Sequence, residues 1–321
     1  MSNWNLPPKG GYMEAPKKMY YQTMTKLDVE ERLKKDDVII IPVGSTENHG
    51  AAGPIGEDTF MVTRIAEMVA EKTGCTVAEP FWYGSHPFHH IGQPCTIPLP
   101  DSVFIDMLRA VITGFWNTGF RKQIFISLHG QEYSLPVALQ EWGKKYQVPA
   151  MLYFVDIPRV MGQTLMDKAH GGPYDRPFQH ACEAEQSLSL ALFPELCQQD
   201  KAENTETKGF LPAGHVDRGG DIYGYPIPGH CQVGNCGIEC VTFPEGVLGH
   251  AKDAAPKKAV ASIEKTCDYL VKLHDDILKA FPAGQLPPAE LMSQRDPEEI
   301  EKLLKGPLKG GKHIYTLGWP T

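Results

Sequence analysis

The stretch GSTENHGAAGPIGED, residues 44–58, sets Glu47, His49, Glu57 and Asp58 among glycines and small side chains. It directly follows the apolar run VIIIPV, residues 38–43. Two readings fit acids and an imidazole at the exit of a buried strand: a solvated loop, or ligands for divalent ions. In an extended segment Glu-x-His points both side chains the same way, because strand side chains alternate with period two. Glu47 and His49 can then reach adjacent ions. Imidazole with carboxylate, and no nearby thiolate, suits zinc or manganese in a catalytic rather than a purely structural site.

Two further segments offer matching groups. The run IFISLHGQE delivers His129 at a second strand end, with Glu132 close behind. In PFQHACEAEQSLSLALF, residues 177–193, a helical projection at about 100° per residue puts Ala181, Leu188 and Leu192 on one apolar stripe, and Glu185 falls inside it. A carboxylate facing a core is costly unless it is paired or holds a metal; the other reading is that the helix is partly exposed there. His180 falls in the first turn of this helix, on another side with Glu183 and Ser187.

YGSHPFHHIGQPCTIPLP carries His86, His89 and His90 within five residues, just beyond a strand. Each alone is an ordinary polar or core histidine; together they suggest a wall facing substrate. His215, Asp217, Asp221 and His230 read as solvated loop residues. Of the eight cysteines, Cys231, Cys236 and Cys240 cluster in CQVGNCGIEC. That spacing fits no paired CxxC pattern, so small buried residues of a glycine-rich loop are expected there.

The elements that must position these groups alternate. Short apolar runs at 38–43, 75–82, 123–128 and 150–155 lack strict alternation, as strands covered on both faces do. Helical periods lie between them: 59–74, ending at Gly74; 101–119, with Asp101 as its cap; and 135–147. This order predicts an α/β fold, with a mostly parallel sheet between two helical layers. In such sheets ligands bind beyond the carboxyl ends of the strands. Residues 201–246 form a long loop dense in glycine and proline. A long helix follows over 255–281, then a tail with one charged helix near 296–305. We divide the chain into an N-terminal extension (1–36), one catalytic domain (37–283) and a C-terminal tail (284–321).

The formal net charge of −8 argues against a nucleic-acid partner. No segment approaches the roughly 18 apolar residues of a membrane span. The N-terminus has no apolar signal core, so a cytoplasmic protein with reduced thiols is expected.

Five motifs, in order, resemble the creatininase family: PVGSTENHGAAGPIGEDT, GQPCTIPLP, SLHGQE, HACEAEQSLSLAL and PEGVLGHAKDAAPKKA. The resemblance spans about residues 37–275. It implies a three-layer α/β/α domain, a homo-oligomer (a hexamer in the family) and a hydrolytic centre with two divalent ions, zinc or manganese. Carried over by position, Glu47, Asp58 and His129 hold one ion. His49, the bridging Asp58 and a further glutamate hold the other. That glutamate is Glu185, or else Glu132, since the position the family's namesake uses is Gln131 here. His180 matches the residue of proton transfer, with Glu132 a second catalytic candidate. The family gives Glu57 no role. Taking the segment as extended, with Asp58 facing the ions, we expect Glu57 to face away from them, into a hydrogen bond or solvent; the competing reading is that the turn kinks and both carboxylates converge.

HGQE, the SHPFHH group and the long loop look most like the subgroup that hydrolyses 3-dehydro-scyllo-inosose to 5-dehydro-L-gluconate in inositol breakdown. There the substrate is a cyclic polyol-ketone, and His89 and His90 would contact it. The wider signature also fits an amidohydrolase acting on creatinine, a formamide or a small peptide. A non-catalytic metal- or sugar-binding protein is the third reading.

Overall fold

The computed structural model describes residues 18–206, 211, 238 and 243–317. His215, Asp217, Asp221, His230, Cys231, Cys236, Cys240 and most of the 201–246 loop lie outside those residues. Four strands, β1 (Val38–Pro42), β2 (Thr76–Val77), β3 (Lys122–Ser127) and β4 (Met151–Asp156), form one all-parallel sheet in the order β2-β1-β3-β4. The second strand is much shorter than the apolar run 75–82 suggests. Pro80 has no N–H to give the ladder. Pairing resumes beyond it, where Phe81 bridges Val43.

Alternate residues of the central strands feed two cores. Val38, Ile40, Ile124 and Ile126 face one layer; Ile39, Ile41 and Phe125 face the other. Chain order gives the helices α1 (Lys26–Leu33), α2 (Glu57–Thr73), α3 (Asp101–Thr118), α4 (Ser134–Tyr146), α5 (Ile157–Met161), α6 (Glu183–Leu192), α7 (Pro256–Ala280) and α8 (Pro297–Lys305). The first layer is built by α2, α5, α6 and α7, through residues such as Ile65, Met161, Leu188 and Leu270. The second is built by α3 and α4, through Leu108, Trp116, Leu139 and Trp142, and α8 adds Ile300 and Leu303. With both faces covered, β1, β2 and β3 are buried throughout and read as continuous apolar runs, while the edge strand β4 is only half-buried. The fold is the expected three-layer α/β/α arrangement. No described helix is long and apolar enough to cross a membrane.

Three local expectations need correction. Asp101 is the first residue of α3 rather than its cap, which is Pro100 and makes no side-chain cap bond. α6 starts only at Glu183, so His180 lies ahead of it. The break is at Ala181, whose φ of 50° cannot continue a right-handed helix. Glu57 opens α2, so it and Asp58 are helical, not extended.

Below the sheet, at the strands' amino ends, Lys122 is fully buried. Its Nζ donates to Asp37 Oδ1 at 2.7 Å and to the carbonyls of Phe281 at 2.6 Å and Pro282 at 3.1 Å. This ties β3, the start of β1 and the end of α7 together. Asp37→Ala strands a buried ammonium, and we expect a loss of about 3–5 kcal/mol in urea unfolding. Adding Lys122→Met should restore much of it. A loss below about 1 kcal/mol for the single variant, the range of exposed ion pairs, would show that the carbonyls suffice.

Candidate metal centre

β1 and β3 are neighbours, with Pro42 opposite Ile126. The helix after β1 packs on the first layer and the helix after β3 on the second. Their connections therefore leave in opposite directions and open a crevice at the carboxyl ends. Glu47 and His49 come from the first connection and His129 from the second. The β1 loop folds back, with Glu47 N–H donating to Ile55 O at 2.9 Å. That return brings the first turn of α2, with Glu57 and Asp58, beside Glu47. Gln131 ties the second connection to the first: its amide donates to Gly44 O at 3.1 Å and Ser127 Oγ at 3.2 Å.

The acids and imidazoles converge. Glu47 Oε2 lies 2.8 Å from His129 Nδ1; Glu47 Oε1 lies 2.9 Å from His90 Nδ1 and 3.4 Å from His180 Nδ1. Asp58 stands between two histidines. Its Oδ2 is 3.1 Å from His129 Nδ1 and accepts from Ser45 Oγ at 2.6 Å, while its Oδ1 is 3.8 Å from His49 Nε2.

Three histidines share one hydrogen-bond pattern. His49 Nδ1 meets Glu47 O at 3.2 Å, His129 Nε2 meets Ser85 O at 3.1 Å, and His180 Nε2 meets Asn48 O at 2.7 Å. A carbonyl only accepts, so each of these nitrogens carries the proton. The other ring nitrogen faces the carboxylates. This is the outer support that orients imidazole ligands on a metal.

Among the described residues three groups bring ligand atoms within 4.8 Å of one another: Glu47 with His86, His90 and His129; Glu47 with His49 and His180; and His49 with Glu57 and Glu185. Glu57 is thus not turned to solvent, as an extended segment would require. Successive helical residues are about 100° apart, so both acids can aim inward. Glu57 is fully buried. Glu185 accepts from the Ala181 N–H. Glu132 is buried but joins none of these groups; Asp156 and Arg159 are among the charges that act on it. His89 packs edge-on against His90 at 4.4 Å, and His86 packs against His129 at 4.4 Å. Sequence reasoning grouped His86 with its neighbours but did not single it out, and it missed Glu57. The helical signal of TFMVTRIAEM, extended back two residues, could have found the latter.

The electrostatics divide the crevice in two. Burial tends to raise Glu47, but the imidazoles of His90, His180 and His129 outweigh it and hold the carboxyl well below the usual range. Asp58 is lowered too: His129 and His49 overcome its burial. Burial opposes a charge on His129, yet Glu47 and Asp58 raise it well above an ordinary histidine. Glu57 and Glu185 have no such balance. Burial pushes both well up, and neighbouring carboxylates add to it. Burial also drives His86 down to about 3 and His89 to about 2, which keeps them neutral donor–acceptors. Imidazole nitrogens aimed at buried carboxylates are a donor set that fits divalent ions.

Comparison with known proteins agrees with this geometry. The family model described as creatininase, creatinine amidohydrolase, matches residues 22–274. A 3-dehydro-scyllo-inosose hydrolase of Thermotoga maritima is 54% identical over 307 residues, covering 95% of this chain and 99% of the relative. A creatinine amidohydrolase of Pseudomonas putida is 25% identical over 218 residues, 61% of this chain and 80% of that protein. Among solved structures, a manganese creatininase superposes with a TM-score of 0.63 at 20% identity, covering 84% of this chain and 99% of its own. By the extent of the family match and the nearly full-length relative, the chain belongs to the creatininase family of hydrolases.

Proposed function

We propose that this chain hydrolyses 3-dehydro-scyllo-inosose, opening the ring at the C–C bond between two carbonyls to give 5-dehydro-L-gluconate. The observation that carries this is the 54% identity to a hydrolase of that name, sustained over nearly the whole length of both chains. We assign Glu47, Asp58 and His129 to one divalent ion, and His49, Asp58 and Glu185 to the other, manganese or zinc in both. Such a pair, when bound, lowers the pKa of a water toward neutrality and polarises a carbonyl.

The chain's own residues do the rest. Asn48 O holds the Nε2 proton of His180 and turns Nδ1 to the acids at the centre of the site. From there His180 can take a proton from the nucleophilic water and return it to the carbon released when the C–C bond breaks. His86 and His89 offer neutral ring nitrogens to the hydroxyls of a polyol ring, and His90 stands beside them. Glu132, close to His129 in the chain but outside the ligand groups, is left as a substrate or proton-relay candidate.

The test is turnover of the inosose by metal-loaded protein beside a panel of cyclic amides, before and after chelation. Ring opening of the inosose is expected, lost with chelator and restored by Mn²⁺ or Zn²⁺. Turnover of creatinine with none of the inosose would replace this reading by the amidohydrolase one, which the Pseudomonas relative supports.

A further inference from the structure

The first turn of α2 carries a second buried acid beside Asp58. Glu57 is 0% exposed, and neither carboxylate oxygen accepts a hydrogen bond of good geometry. The Ser189 hydroxyl is close enough to ease a charge on Glu57 but makes no hydrogen bond of good geometry either. Across from it His49 Nε2, bare because Nδ1 serves Glu47 O, has no hydrogen bond either. One oxygen of Glu57, one ring nitrogen of His49 and one oxygen of Glu185 lie within 4.8 Å of one another. Two ligands at about 2.0–2.2 Å from one ion are at most about 4.4 Å apart. The three atoms are therefore spread almost as an ion requires.

The loop ahead of α2 is shaped for this carboxylate. A Cβ at Gly53 would sit 2.1 Å from Glu57 Oε2 and 2.8 Å from His49 Cβ. Only glycine leaves both side chains their present positions. The alternative purpose, a structural hydrogen bond for Glu57, has only the Ser189 hydroxyl to offer, and that bond is not made in good geometry. The Gln131 amide nitrogen is spent on Gly44 O and Ser127 Oγ and does not donate to Glu57.

We propose that Glu57 is a ligand of the second ion, together with His49 and Glu185. The assignment rests on the two-ion reading and adds a residue to it. The two positions then differ in chemistry. The first has imidazole and carboxylate with further histidines close by. The second has one imidazole among carboxylates, a harder donor set that suits Mn²⁺ better than a histidine-rich site does.

Metal content and affinity, measured on the full chain with Mn²⁺ and Zn²⁺ alone, test it. Wild type should bind two ions, with the spin-coupled signal of a Mn²⁺ pair. Glu57→Gln should keep one ion and raise the dissociation constant of the other by on the order of 100-fold, the upper end of what losing even an outer partner costs. Its Mn²⁺ signal should become that of an isolated ion. Gly53→Ala should weaken the same ion by displacing the carboxylate. Two ions held by Glu57→Gln at wild-type affinity overturn the assignment while leaving the two-ion reading intact. A wild-type chain that binds no ion overturns both. Should Glu57→Gln fail to unfold cooperatively in chelator, Glu57→Asp and Gly53→Ala carry the test. Unchanged affinity in both then decides against it.

Discussion

Asp58→Ala is expected to empty both metal positions and reduce turnover to background. Asp58 reaches toward both halves of the crevice, with Oδ2 at 3.1 Å from His129 Nδ1 and Oδ1 at 3.8 Å from His49 Nε2. A carboxylate shared by two coordination spheres opens both when it is removed. Glu47→Ala and His49→Ala each belong to one sphere and should lose mainly one ion. Ser45 Oγ donates to Asp58 Oδ2 at 2.6 Å and fixes the carboxylate plane, so the shared geometry is held before any ion arrives. Metal analysis after dialysis reads the difference. Two ions per chain retained in the Asp58 variant would remove it as a bridge and shift that role to Glu57.

His180→Asn should keep both ions and the fold but slow turnover by on the order of 10²–10⁴-fold, the usual contribution of a positioned proton donor. His180 is set by its bond to Asn48 O and by the left-handed Ala181 that follows, not by a ligand role in the assignment above. The asparagine amide stops short of that carbonyl, which His180 reaches through Nε2, and it cannot cycle a proton. Substrates with poorer leaving groups should suffer most. Single-turnover rates on variants with confirmed metal content isolate the effect. Unchanged rates would move the acid elsewhere, with His90, 2.9 Å from Glu47, next in reach.

Much of the fold was legible because apolar runs and helical periods carry it directly. The sheet and its two layers could be read from VIIIPV, QIFISL and the helices between. β2 was overread because Pro80 lies inside an otherwise apolar run, and hydrophobicity does not report a missing N–H. The candidate site was legible where chemistry and strand ends coincide: Glu47, His49 and His129 all leave the carboxyl ends of adjacent strands. Glu185 stood out as an acid on an apolar stripe. Glu57 was misread because its orientation depends on where α2 begins. A shift of two residues in a helix boundary turns an outward carboxylate inward. The wall of histidines was visible in the sequence. That His90 touches Glu47 depends on a loop path that local composition does not encode.

The start of α2 has a consequence of another kind, shared with the start of α6. Both helices lack a side-chain cap, with Gly56 and Cys182 at those positions. Instead each carries two acids in its first turn, Glu57 and Asp58 on one, Glu183 and Glu185 on the other. The unpaired N–H groups of a helix start amount to about half a positive charge. Two such ends converge on this crevice. They supply a fixed positive field to Glu57, Asp58 and Glu185, which does not dissociate when ions do, while Glu183 pairs with Lys258 and the Asp175 N–H. The acids in return terminate the helices. Charge at the reaction centre and the first turns of two core helices are therefore one design, and neither can drift in sequence without the other.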